Sequence, residues 1–574
     1  MLTNLVRSFP RWLACRRCIA SLVCTACLSG TLDAQQLRLG SSPRYVPKVR
    51  TQAATLAAPV AAPPFPLAQT FFLHSRPTAT KVIFLDFDGH VTTGTPWNSA
   101  NNAWPTAAAT ITTSPYSYEG TNSFSNNELG SIQEIWQRVS ECFSPFDVDV
   151  TTQQPLVADL LNTGVADTRW GVRVAIGPTN PPSPGGGWGL IGGFGMNNTS
   201  GNDSPCFVFN IDAGKITADT CIHEAGHTLG LSHDGLLFPA TQYYLGHGFG
   251  PTGWAPHMGA AYYQPLAQWS QGEYDLANNQ EDDLAIIATQ NGFGFRPDDF
   301  ASTSGAAGAI TVTSSTPTLI SFDQSGVIET RTDSDWFKIT AGTGVINLTA
   351  VGGPVNTMLD IQMDLYRASG SLVDSSNPPT SLTSSISRSI LAGTYYVKID
   401  GVGNGDPLVE GYTDYSSLGQ YRITGSYPST LVVNYVTTSY VPATKTLTVT
   451  GDVNANAVTV TLKSGKITVK VANGTKINDL NPGGQSNLAS ISYPHTLKLN
   501  LVADLLGGDD SISVVGVDSA TTDIKLGAGA DKVALTLCKF QTLKIDGGAG
   551  TDALITTTST IPPAGPNRVI VNIP

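Results

Sequence analysis

Charge is what this sequence has least of. Charged residues make up 13% of its 574 residues, about half the share usual in soluble domains. Only 32 are Lys or Arg against 44 Asp and Glu, a net charge of -12. Nucleic-acid binding normally shows a basic stripe and is excluded as a primary role. The apolar stretch near the N-terminus is too short and too polar for a transmembrane helix and no second run is long enough to span a bilayer, so no integral membrane protein is expected. Methionine is scarce, at five, and four of the eight cysteines (Cys15, Cys18, Cys24, Cys27) crowd into the first 27 residues.

What fills the space is Gly, Ser, Thr, Asn and Pro, with 58 Gly and 36 Pro. Together with alternating Val/Ile/Thr runs they point to sheet-rich modules, and the length demands several domains. Residues 1–34 read as an export signal, with Arg7, Arg11, Arg16 and Arg17 ahead of a nearly uncharged small and apolar stretch. Export implies a secreted or cell-surface protein and permits disulfides, so a pair among Cys142, Cys206 and Cys221 is expected. Residues 35–78, rich in Ala, Pro, Gln and Thr, read as a flexible leader or pro-segment. The order strand (81–87), amphipathic helix (126–143), short strands and a second helix (217–231) predicts an α/β layer with mixed strand directions over 79–300. Residues 308–426 alternate apolar and polar between turns, as in an antiparallel β-sandwich. Residues 431–574 carry Gly/Asp turns whose first glycines, Gly507, Gly527 and Gly547, repeat every 20 residues, the rhythm of a β-solenoid.

The chemistry concentrates in HEAGHTLGLSHDG over 223–235. His223 and His227, four apart, share a helix face and can present two imidazoles to one ion. Gly230 is placed to end the helix with positive φ, so that His233 swings back as the third ligand. Three neutral nitrogens leave a fourth position for water, whose proton Glu224 can accept as general base. Structural zinc normally takes four protein ligands, which disfavours a purely structural ion. Asp234 could supply the fourth, or fix the turn by hydrogen bonds.

The segment resembles the metzincin zinc metalloendopeptidases, as does Trp254-Ala255-Pro256-His257-Met258-Gly259. The resemblance implies zinc, protein or peptide substrates, a methionine turn with Met258 beneath the imidazoles, and an edge strand near Trp188, Gly189 and Leu190 that aligns substrate by backbone pairing. A tyrosine two residues after the methionine, which some members use, is absent here. Ala260 stands there, and Tyr262 or Tyr263 could approach the site instead. Asp86 and Asp88 in LDFDG resemble a phosphatase motif, but the rest of that machinery is missing and the first strand and turn of the α/β domain is the preferred reading.

Residues 308–426 resemble a pre-peptidase C-terminal domain through Asp333-Ser334-Asp335-Trp336-Phe337 and Gly393-Thr394-Tyr395-Tyr396-Val397, with Asp333 or Asp335 as candidate calcium ligands or a solvated turn. Gly547-Gly548-Ala549-Gly550-Thr551-Asp552 resembles a calcium β-roll repeat, which offers Asp509, Asp531 and Asp552 as further calcium candidates beside a calcium-free solenoid. The expectation is a secreted zinc endopeptidase. The alternative is an adhesion or matrix-binding protein at the cell surface with a vestigial peptidase domain.

Overall fold

The run Lys81–Asp86 is buried at every position, as a strand covered on both faces must be. In the computed structural model, which describes residues 38–45, 63–99, 109–120, 123–178, 185–316, 318–430 and 434–573, it sits inside a six-stranded mixed sheet. The expected export signal lies outside the described residues. The strand order is Leu39–Ser42, Gly187–Leu190, Cys206–Val208, Trp170–Ile176, Lys81–Asp86, Asp149–Thr151. The last four pair in parallel, whereas Gly187–Leu190 runs antiparallel to both of its neighbours.

Helix α1 (Asn126–Cys142) begins at Ser125, whose hydroxyl accepts from the Glu128 amide while the Glu128 carboxylate returns a bond to the Ser125 amide. Such a capping box contributes about 1 kcal/mol. Its apolar face, with Ile132, Ile135, Trp136 and Val139, enters the core. Helix α2 (Lys215–Thr228) is buried from Thr217 onward. Asp212 ahead of it accepts from the amides of Gly214 and Thr217. The helix stops at Thr228, earlier than the periodicity to 231 suggested, and Gly230 follows with φ 110°. Helix α3 (Asp283–Gln290) starts from an Asp282 cap on the Ala285 amide.

The chain is multidomain, and two further sheet systems follow. Within 308–428 two five-stranded sheets face each other and share one core with the α/β layer. The contact is polar as well as apolar. The Trp269 amide donates to Ser416 Oγ at 3.2 Å, Tyr415 Oη to Asp282 at 2.6 Å, and buried Glu141 accepts from the Gln420 amide and side chain at 3.1 and 2.8 Å. From Tyr435 on, a seven-stranded and a six-stranded sheet enclose a separate core. Strands Ser511–Val515, Lys532–Thr536 and Ala553–Thr557 pair in parallel with a register of 21 residues (Ser511 opposite Lys532, Lys532 opposite Ala553), not the 20 read from the glycines. The glycines mislead because Gly507 pairs with Ala528, not with Gly527.

Two expectations change. Cys142, Cys206, Cys221 and Cys538 are all buried free thiols, so none of the expected pairs forms. Residues 38–45 and 63–78, expected to be irregular, include a strand of the main sheet and a short 3-10 helix, Leu67–Gln69.

Candidate metal centre

Helix α2 carries His223 and His227 on one face, and the turn through Gly230 returns His233 to them. Ring centroids lie 4.8 Å apart for His223 and His227, 4.6 Å for His227 and His233, and 5.3 Å for His223 and His233. One nitrogen from each converges, all within 4.8 Å of one another, and the Nε2 atoms of His227 and His233 are 3.0 Å apart. Ligand nitrogens 2.0–2.1 Å from a tetrahedral zinc ion would be about 3.3 Å apart.

The outward nitrogens fix the tautomers. His223 Nδ1 lies 2.9 Å from the His257 carbonyl and His227 Nδ1 lies 2.8 Å from the Leu231 carbonyl. A carbonyl cannot donate, so each Nδ1 carries the proton and each Nε2 keeps its lone pair for the shared centre. Gln242 meets His233 Nδ1 at 2.9 Å, and its amide can serve either tautomer by a 180° flip. His223 Nε2 is buried and has no hydrogen-bond partner. Burial pushes His227 down to about 3 and His233 to about 4, and holds His223 well below the usual imidazole range. Neutral, converging, partly orphaned nitrogens are a donor set suited to a borderline-soft divalent cation.

Glu224 is fully buried, and burial raises its carboxyl well above the ordinary range. One oxygen accepts from the Ser42 amide at 2.7 Å and the other has no partner. Beneath the site Met258 is fully buried, and its sulfur lies against Gly226, between the two helical histidines in sequence. The parallel pair Trp254–Pro256 and Leu266–Gln268 holds this turn. Asp234 is buried and outside the histidine cluster. Its backbone ties the turn together, the amide to the Met258 carbonyl and the carbonyl to the Tyr244 amide. His257 and His247 also stand outside the cluster.

Trp188, Gly189 and Leu190 belong to the strand alongside α2. The glycines bring that strand onto the helix: a Cβ on Gly187 would stand 2.6 Å from the Glu224 side chain, and one on Gly189 would stand 2.9 Å from His227 Cβ. Tyr262 and Tyr263 lie further along the cleft, against Tyr45. The tyrosine at the histidines is Tyr243, whose ring centroid is 4.7 Å from that of His233. Sequence reading missed it because it sits in a loop with no periodic signal.

Away from this centre, Asp86 forms a buried pair with Arg173 at 2.5 Å, and Arg173 also binds Asp203 at 2.8 Å, which accounts for the LDFDG aspartate structurally. Asp333 and Asp335 join Asp298, Asp299 and Glu329 in two overlapping carboxylate groups. Both oxygens of Glu329 and one of Asp335 are buried without a hydrogen-bond partner, and Glu329 is paired with Arg296 at 3.5 Å. In the C-terminal sheets the carboxylates face backbone: Asp531 accepts from the Asp510 amide at 2.7 Å, Asp552 from Asp531 at 2.9 Å, and Asp509 from Ala530 at 2.9 Å.

No protein-family model matches the chain. No curated protein matches it either. Among solved structures, the pre-peptidase C-terminal domain of a collagenase from Bacillus anthracis is similar at 13% identity over 23% of this chain and 97% of that domain, with a TM-score of 0.15. At that score the likeness decides nothing about fold or function. No helix among the described residues is long and apolar enough to cross a membrane.

Proposed function

We propose that this chain is a secreted zinc-dependent endopeptidase of metzincin type. The observation that carries the reading is the convergence of three neutral imidazole nitrogens beside a buried carboxylate on one helix. His223, His227 and His233 would hold the ion, which when bound supplies Lewis acidity toward a peptide carbonyl and lowers the pKa of water. Glu224 accepts a proton from the attacking water and delivers it to the departing amine. The strand Gly187–Leu190 would align a substrate through its backbone, with Trp188, Gly189 and Leu190 lining that edge. Gly230, Met258 and Asp234 shape the turn and the floor of the site.

In this proposal the modules after residue 300 are a β-sandwich of pre-peptidase C-terminal type and a β-solenoid, serving attachment to a surface, a matrix or a polymeric substrate. Calcium would bind at Asp333 and Asp335 with the carboxylates that join them. Asp509, Asp531 and Asp552 have weaker support as calcium ligands, since each carboxylate serves a backbone amide. The extensive β-rich region favours a second reading, adhesion with a vestigial peptidase domain.

The deciding experiment assays full-length protein on casein or gelatin, with and without a zinc chelator, beside Glu224→Gln and His227→Ala. Cleavage should vanish with chelator. Glu224→Gln should keep one zinc per chain yet lose activity about 100- to 10,000-fold, whereas His227→Ala should lose the metal. Chelator-insensitive cleavage, or full activity in Glu224→Gln, would sink the proposal.

A further inference from the structure

The strand Leu39–Ser42 fills the groove beside the candidate metal centre. It pairs antiparallel with Gly187–Leu190, Leu39 opposite Leu190 and Ser42 opposite Gly187. The pairing extends at both ends, from the Ile191 amide to the Arg38 carbonyl at 3.0 Å and from the Gly186 amide to the Ser42 carbonyl at 2.9 Å. Beyond the strand, the Pro43 carbonyl accepts from Tyr262 Oη at 2.8 Å and Asn210 Nδ2 at 3.1 Å, and the Tyr45 amide donates to Asn210 Oδ1 at 3.2 Å. The Tyr45 ring stacks on Tyr263. Residues 38–45 are thus held as a bound peptide is held.

One peptide bond of this segment lies across the site. The Ser41 carbonyl oxygen accepts from Tyr243 Oη at 2.8 Å and sits 2.5 Å from His233 Nε2. The following amide, Ser42 N–H, donates to Glu224 at 2.7 Å. Hydrolysis needs this polarity, with the carbonyl oxygen on the Tyr243 hydroxyl and the leaving nitrogen on the proton carrier.

We infer that residues 38–45 are an internal substrate and that the Ser41–Ser42 bond is the one this site cuts in its own chain, an inference that rests on the peptidase reading. Water adds to the Ser41 carbonyl carbon and Glu224 takes its proton. The C–N bond to Ser42 then breaks as Glu224 passes that proton to the nitrogen, leaving a carboxylate on Ser41 and an amine on Ser42. Tyr243 stabilises the developing charge on the Ser41 oxygen. The cut frees the residues before Ser42 from the edge strand and opens the groove. The same geometry assigns a preference. A Cβ on Gly40 would stand 2.3–2.4 Å from the His227 ring, so the residue preceding the cleaved one must be glycine.

The test uses full-length protein purified metal-free and started with one equivalent of zinc, followed by intact mass and N-terminal sequencing. A new N-terminus at Ser42 should appear with a first-order rate unchanged over a tenfold range of protein concentration. Glu224→Gln and Ser42→Pro should stay intact while folded and zinc-loaded. Without any turnover, hydrogen exchange on metal-free Glu224→Gln should show residues 39–42 protected, and Gly40→Val in that background should expose them. A chain that degrades casein while its Ser41–Ser42 bond survives would overturn the inference and leave the peptidase reading standing. So would cutting at another bond, a rate that rises with protein concentration, or equal exchange in the Gly40→Val chain. Zinc bound with neither casein nor chain hydrolysed would remove both.

Discussion

The sulfur of Met258 lies 2.6 Å from the point where a Cβ on Gly226 would stand. Gly226 is the residue before His227 on α2, so the thioether packs against helix backbone that carries a ligand. Gly226→Ala should force the two apart, lowering stability by about 1–3 kcal/mol, the usual penalty for overpacking. It should also weaken zinc binding. Denaturant unfolding and competition against a chromophoric chelator would measure the two effects separately.

Gln242 is the side-chain partner of His233 Nδ1, whereas the two helical histidines rest on backbone carbonyls. Gln242→Ala should therefore reduce zinc affinity about 10- to 100-fold, the usual effect of removing such a partner. Gln242→Glu should restore much of it. An unchanged affinity in the alanine variant would show that the bond does not orient the ring.

Burial pushes the Asp335 and Glu329 carboxyls up to about 9 and Asp299 to about 6. Acids raised in the folded state hold protons that the unfolded chain releases. Without a bound cation, stability should therefore fall as pH rises from about 4 toward 9. Millimolar calcium should raise the melting temperature by a few degrees, more at pH 9 than at pH 5. Asp335→Asn should shrink the shift. Equal melting with calcium or a calcium chelator at pH 9 would rule the cation out.

Glu141, buried between α1 and the first β-rich region, is pushed up to about 8 by burial, partly offset by its bonds from Gln420. The sign is the same: its contribution is most favourable below the ordinary carboxylate range and is lost as pH rises through about 8. Glu141→Gln should stabilise the protein at pH 8–9 by on the order of 2 kcal/mol and flatten the profile between pH 5 and 8. Thermal melts across that range would test it.

The histidine arrangement was legible because its contacts are local: His223 and His227 are one helical turn apart, and Gly230 makes the return of His233 a matter of one positive φ. Helix α1 was legible to within a residue, since a buried stripe and a capping box both act within a few positions. Tyr243 was not, because nothing in a loop sequence says which ring it will meet. Asp298 and Asp299 escaped notice for the same reason, since they approach Asp333 and Asp335 only through the packing of a connecting loop on a sheet. The 21-residue register was obscured by glycines that do not lie opposite one another.

By itself the sequence determined the helix that carries two imidazoles and a carboxylate, the glycine turn that returns a third imidazole, the residue types able to bind a cation, and the shift to sheet after residue 300. Spacing along a helix sets direction, so those features needed no fold. Only tertiary structure decided what stands around them: Met258 under Gly226, Tyr243 over His233, and Ser41 and Ser42 laid across the centre from 182 residues upstream of Glu224. Such contacts depend on sheet order and strand register. These emerge from burying the whole core at once, and no short stretch of sequence encodes them.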